Sequence, residues 1–134
     1  MTKPVYEETT RGIRVAVEPD FLQDQSAPEE SRYVWAYHVT IENRGAEPVQ
    51  LLSRYWRITD SLGRTREVRG PGVIGVKPTI APGNSHRYSS GAPLETASGF
   101  MSGSYRMRAN SGEEFDVAIP MFALESPYEM RQVH

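Results

Sequence analysis

The sequence predicts an all-β protein, an antiparallel sandwich, on three observations. Apolar and polar residues alternate over most of the chain, turn-forming residues break the alternation at short intervals, and no long apolar stripe recurs at helical period. About seven short strands in a chain of 134 residues is the pattern of a sandwich or a barrel. The sandwich is preferred because each alternating strand supplies one face to bury. The length fits a single domain, with a core over about residues 6–124 and polar ends.

The elements follow in order. Ile13, Val15 and Val17 alternate with polar neighbours and stop at Pro19. Residues 21–31 are polar, contain Pro28, and read as a loop. Tyr33, Trp35, Tyr37, Val39 and Ile41 then share one face of the strongest strand, before a turn at Asn43-Arg44-Gly45. A strand over about Val49–Asp60 places Leu52, Trp56 and Ile58 on one face, which Arg54 interrupts. That arginine either points inward and needs a partner, or a β-bulge near Ser53 turns it outward. Ser61-Leu62-Gly63 closes a hairpin into a short charged strand, Arg64–Arg69. Residues 70–84 hold three Pro and four Gly, which disfavours a long strand or helix there. The polar run after Tyr88 reads as a second loop. Two strands finish the fold, one burying Tyr105, Met107 and Ala109, the next Phe115, Val117, Ile119 and Met121. After Phe122 a polar, frayed tail is expected. Trp35, Tyr37, Trp56, Tyr105 and Phe115 are the expected aromatic core.

Composition narrows the function. The chain has no cysteine, which excludes a disulfide framework, thiol catalysis and Cys-ligated zinc. Met1 to Thr10 lack the apolar stretch of a signal peptide, and no run approaches the roughly 20 apolar residues that span a bilayer. A cytoplasmic protein with no membrane partner is expected. The net charge of −2 argues against nucleic acid. The charge is uneven: residues 1–53 sum to −4, residues 54–87 to +5, and residues 88–134 to −3. The basic middle is either a set of solvated strand faces or an anion-attracting patch.

Gly70-Pro71-Gly72-Val73-Ile74-Gly75 matches G-x-G-x-x-G. In dinucleotide-binding folds those glycines let backbone N–H groups and a helix N-terminus approach a pyrophosphate. Here Lys77-Pro78 prevents the helix, and Pro71 removes a donor, so that reading fails. What survives is a glycine loop beside Arg66 and Arg69 that could form an anion nest, against the plainer reading of tight turns. Val73, Ile74 and Val76 either plug one end of the sandwich or form an apolar patch for a partner. His38, His86 and His134 show no metal-ligand spacing, no calcium-loop pattern is present, and no serine lies in G-x-S-x-G. No metal, no cofactor and no catalytic residue are expected.

The blocks RYVWAYHVTI (residues 32–41), VQLLSRYWRITD (49–60), EVRGPGVIGVKP (67–78), YSSGAPL (88–94), GSYRM (103–107) and FDVAIPMF (115–122) resemble the bacterial ApaG family in order. The resemblance runs from about Tyr6 to Leu124 and implies an immunoglobulin- or fibronectin-III-like sandwich. The family's glycine motif falls on Gly70, Gly72 and Gly75. Its names imply genetic neighbourhood with a diadenosine-tetraphosphate hydrolase and a link to cobalt and magnesium tolerance, with no catalytic residue attached. Similar domains appended to eukaryotic F-box and polymerase-interacting proteins imply protein–protein interaction.

The expectation is therefore a non-catalytic module that binds an unidentified protein through the 70–84 loop or a sheet edge. The alternatives are a small anion or nucleotide phosphate held at Gly70–Gly75 with Arg66 and Arg69, and a divalent-cation role. The oligomeric state is left open, a dimer included.

Overall fold

The computed structural model describes residues 4–128. Among them are nine strands and two single-turn 3-10 helices. The strands are β1 (Tyr6–Thr10), β2 (Ile13–Phe21), β3 (Tyr33–Asn43), β4 (Val49–Asp60), β5 (Thr65–Pro71), β6 (Thr79–Ile80), β7 (Ser85–Leu94), β8 (Ser98–Ala109) and β9 (Glu114–Glu125). One sheet runs β1-β2-β3-β7 and the other β5-β4-β8-β9, with β6 also pairing to β4. All strand pairs are antiparallel. The two sheets stack as an immunoglobulin/fibronectin-III-like sandwich.

The interior is built from the alternating faces. Val15, Val17, Trp35, Val39 and Ile41 of the first sheet meet Leu51, Trp56, Tyr105, Met107 and Val117 of the second. All five expected core aromatics are buried. Tyr37 and Phe122 both set their rings against Trp56, with centroids 5.1 and 5.9 Å away. Two buried polar side chains are tied down. Trp35 Nε1 donates to Glu125 O at 2.8 Å, joining the sheets, and Asn43 Nδ2 donates to Glu47 O and Ile80 O at 2.9 Å.

Two bulges correct the expected facing. Opposite β8, the register of β4 shifts between Leu51 and Ser53, so Leu52 is the extra residue. Leu51 therefore takes the interior, Leu52 is only half-buried, and the inward phase resumes with Arg54, Trp56 and Ile58. The bulge near Ser53 exists, and Arg54 still faces inward, opposite Tyr105. In β9 the register shifts opposite Ser102. Met121 is thereby turned out, 60% exposed, while Phe122 and Leu124 are buried in place of the expected tail.

The expected second loop is also a strand, β7. It sits at the edge of its sheet, where Pro93 is tolerated because no neighbour needs its N–H. Its polar residues reflect that edge position. The polar β1 is likewise an edge strand. On one side of the sandwich β1 and β2 close against β9. The other side is open: among the described residues β5 pairs only with β4 and β7 only with β3.

Candidate functional site

The irregular 70–78 segment projects from the open side, and each of its residues has a local reason for its place. Arg54, inward on β4, lies opposite Gly70 on β5. A Cβ at Gly70 would stand 2.9 Å from both terminal guanidinium nitrogens, so glycine makes room for the arginine. Arg54 Nη1 donates to the carbonyl oxygens of Pro71 and Gly72, both at 3.0 Å. The inward charge thus has polar partners, and it fastens the start of the loop. The extra residue in β4 contributes as well, since Gly72 N donates to Leu52 O at 2.9 Å.

Gly72 has φ +58°, and a Cβ there would overlap the Val76 carbonyl oxygen. Val73 and Val76 exchange both backbone hydrogen bonds, at 2.8 and 3.0 Å. Ile74 and Gly75 between them both have positive φ, 45° and 77°. This is a two-residue hairpin turn of the primed type. Val73 is fully buried and plugs the sandwich end, whereas Ile74 and Val76 are 62% and 47% exposed. A β-branched residue in the left-handed region costs roughly 1–2 kcal/mol. The fold spends that energy to hold an apolar side chain in water.

The residues expected to gather around an anion do not converge. Arg66 and Arg69 lie three apart on a strand and so project from opposite faces of β5. Arg69 stacks over Tyr55, 4.6 Å from its ring centre, and lies 3.4 Å from the Glu67 carboxylate on the outer face. Arg66 faces the open side, near Pro93 O at 3.5 Å. Gly72, Val73 and Val76 have spent their N–H groups on other backbone carbonyls, and Pro71 has none. Arg54 meets the loop's carbonyls, not its amides.

Beneath the loop lies a tyrosine cluster that the sequence did not reveal. The Tyr88 and Tyr105 hydroxyls are hydrogen-bonded to each other. Burial is the main cause that raises Tyr88 and Tyr105 well above the ordinary value and Tyr37 above it, with the nearby Arg54 charge pulling the other way. Unfolded tyrosines ionise near pH 10. The stability linked to these neutral phenols is complete below that pH and is lost as pH rises toward the folded values. Ultraviolet titration should therefore show Tyr88 and Tyr105 ionising only together with unfolding. Their ionisation in the still-folded chain would contradict the burial.

The structure also pairs a serine with a base, 51 residues apart in sequence. His38 Nδ1 stands 2.6 Å from Ser89 Oγ, across the β3–β7 register. Both are exposed on the outer sheet face. His134 lies outside the described residues. Among the described residues no group of three or more His, Asp or Glu could hold a metal ion. Likewise, no helix among them is long and apolar enough to cross a membrane.

Fold and loop define a class, a small β-sandwich of the immunoglobulin/fibronectin-III type with a rigid glycine-shaped loop at its open side. Residues 23–109 match the ApaG domain family. The chain belongs to that family. It is 58% identical to "Protein ApaG" of Rhodospirillum centenum over 92% of this chain and 95% of the relative. It is 55% identical to "Protein ApaG" of Brucella anthropi over 97% of this chain and 100% of the relative. Among solved structures, the putative ApaA protein from Bordetella pertussis superposes with a TM-score of 0.84 at 42% identity, covering 96% of this chain and 100% of that one.

Proposed function

We propose that the chain is a non-catalytic binding module of the cytoplasm that engages a protein partner through the tip of its 70–84 loop. One observation carries the reading: Ile74 and Val76 are exposed apolar residues, and Ile74 is kept at a backbone angle that its own side chain disfavours. Strain held at a surface position is a mark of function. Buried Val73, the Arg54 bonds and the mutual Val73–Val76 bonds make the tip rigid, so little entropy is lost on docking.

The test separates stability from binding. Ile74→Asn relieves the left-handed strain and should raise stability by about 1 kcal/mol, because asparagine tolerates that region. The same change, combined with Val76→Ser, should abolish capture of partners from the native cytosol. If the double variant captures the same proteins as the parent, the tip is not the contact.

A further inference from the structure

A second feature of the open side lies at the opposite end of β5 from the loop tip. A groove of about 580 Å³ runs between the Thr65 end of β5 and the Leu94 end of β7. Ile58 and Leu94, both buried, contribute an apolar floor, and Arg32, Arg64 and Arg66 stand along its walls. The volume is that of a small-molecule site.

The three arginines are not equivalent. Arg64 is charge-paired: its Nε donates to Asp60 Oδ2 at 2.7 Å, and Asp60 Oδ1 accepts the backbone N–H groups of Leu62 and Arg64 at 2.9 and 3.0 Å. Despite desolvation, which would raise it, these bonds hold the Asp60 carboxyl below its ordinary value, so the pair stays ionised and fixed. Arg64 also reaches Glu95 at 4.0 Å. Arg66 has only the long 3.5 Å approach to Pro93 O. Arg32 makes no side-chain hydrogen bond or ion pair with any described residue. Two guanidinium groups with unused donors therefore border an apolar floor, Arg66 from the basic middle segment and Arg32 brought to it from the acidic first third of the chain.

We propose that this groove binds a small organic anion, a phosphate monoester or carboxylate joined to a compact apolar body. The anionic head is taken by Arg66 and Arg32 through charge-assisted hydrogen bonds, and the body lies over Ile58, Leu94 and Pro93. The anion capacity of the basic middle segment is thereby located away from the glycine loop. The site is independent of partner binding at Ile74 and Val76.

Amide NMR titration of the full chain at low salt tests this, with phenyl phosphate as probe and inorganic phosphate and phenol as controls. Saturable shifts are expected at residues 31–32, 58–66 and 93–95. Inorganic phosphate should bind about tenfold more weakly for want of the apolar body, and phenol should not saturate. Arg66→Gln and Arg32→Gln should each weaken phenyl phosphate by about tenfold or more, whereas Arg69→Gln, on the other face, should change nothing. All three side chains are exposed, so the variants should melt with the parent. Shifts centred on residues 70–76 would overturn the proposal. So would the absence of saturable shifts, equal affinity for inorganic phosphate, or an affinity unchanged in Arg66→Gln.

Discussion

Trp56→Ala should destabilise the protein by roughly 3–5 kcal/mol, as for other buried aromatic residues reduced to a methyl group. Trp56 is 2% exposed at the centre of β4, with Tyr37 from the opposite sheet and Phe122 from β9 against its ring. Its removal opens a cavity bounded by two sheets that cannot both collapse into it. A second substitution isolates the cause. Trp56 Nε1 is a buried donor with no partner among the described residues, so the indole brings a polar penalty along with its volume. Trp56→Phe removes that donor, keeps most of the ring, and should lose much less than the alanine variant. Denaturant midpoints of the three proteins check the order. An unfolding free energy of Trp56→Ala within about 1 kcal/mol of the parent would remove Trp56 from the core.

What could be read from the sequence, and what could not, divides along physical lines. The β3 alternation from Tyr33 to Ile41 was legible because a central strand with one buried face carries the simplest periodic signal. Where a bulge intervenes, the same rule gives the wrong face. Period-2 counting puts Leu52 and Met121 inside, and one extra residue in β4 and one in β9 turn Leu51 and Phe122 in instead. Arg54 on an apolar face hinted at the first bulge and Pro120 stands at the second, but neither says which residue is the extra one. Edge strands β1 and β7 hid for another reason, since a strand with one open edge can be polar and carry proline.

The candidate site splits in the same way. The glycine loop was visible because glycines at positive φ leave a compositional trace at Gly72 and Gly75. The division of Arg66 from Arg69 was also present in the sequence, as an odd spacing on a strand. The groove of Arg32 and Arg66, the tyrosine cluster and the His38–Ser89 pair were not. Each is made by cross-strand or cross-sheet register between segments far apart in the chain.

Gly103→Ala should be as damaging as the loss of Trp56, although it adds only one carbon. Gly103 lies in β8 between Trp56 on β4 and Ile119 on β9, directly after the Ser102 irregularity. A Cβ there would overlap the Tyr55 carbonyl oxygen and come within 3.3 Å of the Trp56 Cα. Both obstacles are backbone of a paired strand, so no side-chain rotation gives relief. Overpacking of this kind costs about 1–3 kcal/mol where side chains can yield, and more where a hydrogen-bonded ladder must separate. A loss of about 3 kcal/mol or more, or failure to fold, is therefore expected. Gly91→Ala supplies the control. Gly91 is in edge strand β7 without a positive φ, and an added Cβ meets only Trp35 O at an ordinary 3.6 Å. That change should be neutral or stabilise by about 0.4–1 kcal/mol, through the reduced freedom of the unfolded chain. Melting curves of the two alanine variants decide the matter. If Gly103→Ala melts with Gly91→Ala, then β4 and β8 do not approach as closely as the fold requires, and the register that sets Trp56 opposite Gly103 fails as well.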